Sequence, residues 1–278
     1  MSPSEEVTVD RSRNVRPGHH LIFVVCVLFS AASPAIAQIQ DNSFLIEEAY
    51  NQERGVVQHI STFERPSGGG AWAYSFTQEW PLGGIQHQLS YTLPVQNDDR
   101  GTGVGDIGLN YRYQLVGDPE APVVVAPRIS LLLPTGDSDE GRGAGAVGFQ
   151  TNLPLSLVLG PQVVTHWNAG ATIIPSARNL LGQEATAASF NLGASAVWLF
   201  RPAFNLMLEA IWLSEAAVAG PGQTVRDELL FLNPGFRGAF DLGTLQIVPG
   251  VAYTFDLSSD SDDDALFVYL SFEHPFKR

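Results

Sequence analysis

The sequence predicts an all-β protein: a transmembrane, antiparallel, up-and-down β-barrel of about twelve strands, with short periplasmic turns and long external loops. Three observations predict it. Segment after segment alternates apolar and polar residues, the period-two signal of a strand with two unlike faces. Most of these segments span 9–15 residues, against about 5–6 in an ordinary soluble strand, and are long enough to cross a bilayer when tilted. The connections between them alternate strictly between short and long.

The elements follow in order. LIFVVCVLF at 21–29 is an unbroken apolar run, preceded by Arg11, Arg13 and Arg16 and followed by AASPAIA. A basic region, an apolar region and an A-x-A site predict a signal peptide over 1–37, removed after Ala37. Cys26 sits inside the apolar run without the small residues that precede a lipid-anchored cysteine, so the chain from 38 onward carries no cysteine and no disulfide. Residues 38–54 are expected to form a periplasmic N-terminal segment, and 55–278 the barrel.

Strands are expected over 55–63, 71–80, 85–95, 104–116, 122–134, 145–159, 162–174, 186–200, 204–213, 228–240, 244–256 and 265–276. In IQHQLSYTLPV, Ile85, His87, Leu89, Tyr91, Leu93 and Val95 share one face, and Gln86, Gln88, Ser90 and Thr92 the other. The connections PLGG, GDPEA, GP, RPA and DLG are short, whereas ERPSGGG, QNDDRGTG, TGDSDEGRGAG, PSARNLLGQEA, SEAAVAGPGQTVR and LSSDSDDD are longer and polar. Tight periplasmic turns and larger external loops give this alternation in an outer-membrane barrel. In lipid every backbone amide needs a partner, so such a sheet must close on itself. The mean hydropathy of +0.05 agrees, because only alternate residues face lipid. A secreted β-sandwich or soluble barrel would have shorter strands and fewer exposed aromatics.

Composition and motifs exclude several functions. The net charge is −14, the pI is about 4.7 and Lys277 is the only lysine, so no nucleic-acid partner is expected. GVGDIG at 103–108 and GAGAVG at 143–148 fit the glycine pattern of a dinucleotide cradle. That cradle needs a buried strand before it and a helix after it. Here each follows a polar loop and leads into an alternating strand, so the glycines belong to strand entry and no cofactor is expected. No catalytic residues are assigned: an outer-membrane lipid hydrolase needs a serine beside a histidine, and His166 in THWNAG has none next to it in sequence. The histidines at 59, 87, 166 and 274 are too dispersed to predict a metal site. DSDDD at 260–264 resembles the start of a calcium loop but lacks its glycine and distal glutamate, and reads as a solvated loop.

The alternation points Asp106, Arg112, Arg128, Glu209, Arg237 and Glu273 inward, together with His166. An arginine on the lipid face near mid-membrane would cost about 2–4 kcal/mol, so the interior placement is physically required. Asp106, Arg112, Arg128, His166, Glu209 and Arg237 are the candidate pore-lining residues. They either line a pore or pair up and plug the barrel.

The runs GVGDIGLNYRYQL and PRISLLLPTGDSDEG, with the glycine-rich re-entry that follows, resemble an outer-membrane transporter-like family named for phenol degradation by the meta pathway. The resemblance implies a barrel of about twelve strands that passes small, often hydrophobic or aromatic, compounds, and it carries over no site residues. The chain departs from the usual barrel ending, since Lys277 and Arg278 follow Phe276. The expectation is a monomeric, passive channel or facilitator for small organic solutes, not an enzyme. Its expected partners are outer-membrane lipid and lipopolysaccharide, the solute and the barrel assembly machinery. The alternative is a closed structural or surface-binding barrel acting through its acidic external loops.

Overall fold

A computed structural model of the chain describes residues 43–258 and 264–276. The expected signal peptide lies outside the described residues, as do 260–263 of the acidic run. The strands are β1 (Val56–Pro66), β2 (Trp72–Pro81), β3 (His87–Asp98), β4 (Gly101–Val104), β5 (Ile107–Tyr113), β6 (Val123–Val125), β7 (Arg128–Leu133), β8 (Gly148–Asn152), β9 (Leu155–Gly160), β10 (Val163–Arg178), β11 (Glu184–Arg201), β12 (Phe204–Gly220), β13 (Gln223–Gly238), β14 (Phe240–Leu242), β15 (Leu245–Asp256) and β16 (Ala265–Pro275).

These sixteen segments build twelve wall strands, because four of them continue a neighbour in the same line. β4 and β5 form one wall strand with a one-residue bulge, since Val95 pairs with Val104 but Thr92 with Gly108. β6 and β7, and likewise β8 and β9, keep one register across a break, with Val125 opposite Leu155 and Arg128 opposite Asn152. The breaks fall at Pro127 and Pro154, whose missing N–H cannot extend a ladder. β14 continues β13 along β15. Each wall strand is antiparallel to its chain neighbour, and β16 pairs with β1 from Val56–Pro275 to Pro66–Ala265. The sheet is therefore a closed antiparallel barrel with no helix beyond one short 3-10 turn at Ser138–Glu140 among the described residues.

The two faces behave as the alternation requires. Phe149, Ile129, Leu192 and Trp167 project outward with about half their surface uncovered, which is acceptable only where lipid is the solvent. Aromatic clusters ring the short-turn end: His59 stacks on Phe272 at 4.7 Å, His87 lies 5.3 Å from Tyr113, and Trp198 meets Phe200 edge-on at 5.2 Å. Inward residues are polar and covered, including Gln58, Gln88, Ser156, Asn205 and Asn233.

Two of the expected external loops turn out to be sheet. PSARNLLGQEA closes to a tight turn, with Arg178 paired to Glu184. SEAAVAGPGQTVR is a ladder up to Gly220–Gln223, so β12 and β13 form a tall hairpin of 17 and 16 residues. Beyond the membrane a ladder needs no apolar face, so these polar and small residues carry strand hydrogen bonds without showing the period-two signal. The connection over 134–147, by contrast, stays irregular apart from its 3-10 turn.

Residues 43–54 lie within the stretch assigned by sequence to the periplasm, and they run inside the barrel. Phe44 joins Val164, Val197, Met207, Phe267 and Tyr269 in one buried cluster, and Ala49 and Tyr50 join Val124 and Ala126 in another. This strap is what the wall's inner face packs against.

Candidate functional site: the lumen and its strap

The strap has no sheet of its own, so its main-chain N–H groups must find partners among side chains that point inward. Glu209 on β12 takes three of them. Its Oε1 accepts from Phe44 at 2.9 Å, Leu45 at 3.1 Å and Ile46 at 3.2 Å, and its Oε2 accepts from Asn233 Nδ2 at 2.7 Å. A fully buried carboxylate costs several kcal/mol unless it is paired or hydrogen-bonded, and here successive amides provide the compensation. Asn168 on β10 grips the next residue on both sides: its Oδ1 accepts from Glu47 N at 2.8 Å and its Nδ2 donates to Glu47 O at 2.6 Å. Ser156 Oγ on β9 accepts from Ala49 N at 2.9 Å, Gln114 Oε1 from Asn51 N at 3.0 Å, and Gln88 Oε1 on β3 from Gln52 N at 2.7 Å.

The strap's carboxylates meet the lumen's arginines. Glu47 Oε2 accepts from Arg128 Nε at 2.8 Å and from Asn152 Nδ2 at 2.8 Å. Arg112 is almost wholly buried. It donates through Nε to Asn51 Oδ1 at 2.8 Å, through Nη1 to Glu48 O at 3.0 Å, and through Nη2 to Tyr50 O. Carboxylate oxygens of Glu47, Glu48 and Glu79 surround the same guanidinium at 3.3, 3.7 and 3.8 Å. The planar guanidinium fork suits this many-sided contact in a way that a lysine would not.

The wall makes room for the strap's apolar side chains with glycine. A Cβ at Gly193 would stand 2.2 Å from Ile46 Cδ1, and one at Gly250 would stand 2.5 Å from the Phe44 ring. Both glycines face inward in register with their neighbours, Gly193 on β11 and Gly250 on β15.

The six residues singled out from the sequence therefore separate into four groups. Arg112, Arg128 and Glu209 bind the strap directly. His166 is fully buried beneath it: Nδ1 lies 2.8 Å from Ser156 Oγ, and Tyr50 stands edge-on to the ring at 6.1 Å. Ser156 Oγ accepts the Ala49 amide and lies within hydrogen-bond distance of His166 Nδ1, so it links the strap to the ring. Arg237 is buried lower on β13, opposite Gly250. Asp106 is apart from the rest, at the long-loop end. Its Oδ1 accepts from Gly136 N at 3.0 Å and its Oδ2 from Ala144 N at 2.8 Å, so it pins the 134–147 connection. Arg142 from that connection reaches back to Asp98 Oδ1 at 2.9 Å. The runs GVGD at 103–106 and LPTGD at 133–137 thus meet, with Thr135 Oγ1 also donating to Gly105 O at 2.9 Å. Asn168, Ser156, Gln88, Gln114 and Glu47 were not singled out from the sequence. For the four wall residues the inward direction was legible, but partners 36 to 121 residues away along the chain were not, and Glu47 lies in a segment with no alternation to give it a direction.

Two cavities run from the strap toward the long-loop end. One, of about 290 Å³, is lined by Leu45, Ile46, Asn152, Asn191, Ile211 and Glu215, among others. The second, of about 350 Å³, is bordered by Glu48, Glu79, Asp106 and Arg112. Glu47, Arg128 and Gln150 line both.

Comparison with known proteins places this arrangement. Residues 37–256 match the model of a family named for the MetA-pathway of phenol degradation, a span that includes the strap. No curated protein sequence matches. Among solved structures, an outer membrane channel from Pseudomonas putida F1 is similar with a TM-score of 0.60 and 12% identity, covering 81% of this chain and 97% of that one. A NanC porin is similar with a TM-score of 0.53 and 10% identity, covering 80% of this chain and 100% of that one. At these identities the likeness concerns the fold, which is that of an outer-membrane β-barrel.

Proposed function

The chain belongs to the family named for the MetA-pathway of phenol degradation, and from that membership we propose that it is a monomeric outer-membrane channel passing small organic solutes by passive diffusion. The observation that carries the reading is the interior: a closed barrel whose polar lumen holds two cavities that end on a strap rather than on a solid core. The strap is the gate of the closed state, and solute passes when residues 43–54 shift. Leu45, Ile46 and Ile211 beside Asn152 and Asn191 suit a ring that carries one or two polar groups. The short turns face the periplasm, the tall hairpins face outward among lipopolysaccharide, and the barrel assembly machinery inserts the chain.

Planar-bilayer recording tests this on the full chain. The wild-type protein is expected to give small, infrequent steps, and a Phe44→Ala/Glu47→Ala chain larger and more frequent ones. Silence from both chains, with no liposome swelling in any small solute, overturns the channel reading. That result would favour a second reading, a closed structural or surface-binding barrel acting through its acidic external loops, which the density of buried strap contacts favours.

A further inference from the structure

The strap is held as a ligand is held, and we infer that the lumen is a peptide-binding cleft occupied by the chain's own residues 43–54 and able to take an extended peptide of the same pattern in their place. Three features define the cleft. Wall side chains read the main chain, with Glu209 on the amides of 44–46 and Asn168 on both sides of residue 47. Inward glycines leave dents for two apolar side chains, Gly235 and Gly250 for the Phe44 ring and Gly193 for Ile46. Arg128 and Asn152 read the acid that follows, at 2.8 Å each to Glu47.

Main-chain hydrogen bonds that supply affinity, with shaped pockets that supply specificity, are the general logic of extended-peptide recognition. The pattern read is an aromatic residue, any residue, a branched aliphatic and an acid, which here is Phe44-Leu45-Ile46-Glu47. A segment that merely filled space would need neither a carboxylate on three consecutive amides nor a carboxamide bonded to both main-chain groups of one residue. Because the strap is covalently attached, it competes at an effective concentration of roughly millimolar. A free peptide therefore enters only when the strap is weakened.

The test measures binding and not conductance, so it stands apart from the channel reading. Full-length Phe44→Ala/Ile46→Ala/Glu47→Ala protein and wild-type protein are titrated in detergent against a fluorescent peptide of residues 43–54, followed by polarisation. The weakened-strap chain is expected to bind at least about tenfold more tightly than wild type, since truncating anchor residues removes most of the competition. A peptide carrying the same three alanines, and one in shuffled order, are expected to bind at least about tenfold more weakly to that chain. No binding by a weakened-strap chain that keeps its heat-modifiable gel mobility overturns the inference. Equal binding of the alanine or shuffled peptides also overturns it. If the triple variant lacks that mobility, the single Phe44→Ala chain is read by the same criteria.

Discussion

At the scale of single residues, two carboxylates that look alike in sequence have opposite employment. Glu209 is fully buried and its charge is met by the amides of 44–46 and the carboxamide of Asn233, whereas Asp106 stands at the mouth and ties down a loop. Removing an acceptor strands buried donors at about 1–3 kcal/mol. Glu209→Ala is therefore expected to speed amide hydrogen exchange at 44–46 by about ten- to a hundredfold. Glu209→Gln, which keeps one acceptor oxygen, should lie between Ala and wild type, while 49–52 are unchanged. Equal exchange at 44–46 in all three chains would falsify the assignment of Glu209 as the strap's main anchor. Asp106→Ala should release the 134–147 connection, and trypsin should then cut after Arg142, whose surface is only 4% exposed in the intact molecule. Both carboxylates were legible as inward-facing, because a lipid-facing charge is excluded. What each one holds was not, since alternation gives direction and not partner.

At the scale of elements, alternation located the wall strands but misjudged where some of them end. The expected ends at 174 and 213 fall where the outward face ceases to be apolar, which is the edge of the membrane and not the end of the ladder. Above that edge β12 and β13 keep pairing through Val218–Thr224 in residues with no apolar rhythm. The tip at 221–222 is exposed and meets the wall at its upper edge, where Gly222 N donates to Glu184 O at 2.8 Å. An epitope inserted there is expected to leave folding intact and to be stained by antibody on whole cells, whereas the same insertion after Leu232 should abolish the folded barrel. Staining only after permeabilisation would reverse the orientation proposed for the hairpins. The proline breaks in the walls at 127 and 154 went unread, because a proline there interrupts hydrogen bonds without changing which face the flanking residues occupy.

At the scale of the whole molecule, closure rests on the pairing of β1 with β16, and the interior rests on Arg112. That one guanidinium faces Glu47, Glu48 and Glu79. Breaking a buried ion pair by removing one partner costs about 3–5 kcal/mol, so Arg112→Met is expected to lower the temperature at which the folded band converts to the unfolded band on a gel. An unchanged conversion temperature would show that the cluster contributes nothing to stability. The sequence by itself determined that the chain is a lipid-facing barrel of twelve walls with a polar inside. Period-two patterning, strand length and the prohibition on unpaired amides in lipid are local or global rules that need no coordinates. The sequence assigned FLIEEAYNQ only to a periplasmic N-terminal segment. Only the tertiary structure decided that this stretch enters the lumen. Its amides are satisfied one by one by side chains on separate strands, and a set of contacts that distant along the chain leaves no periodic trace in the sequence.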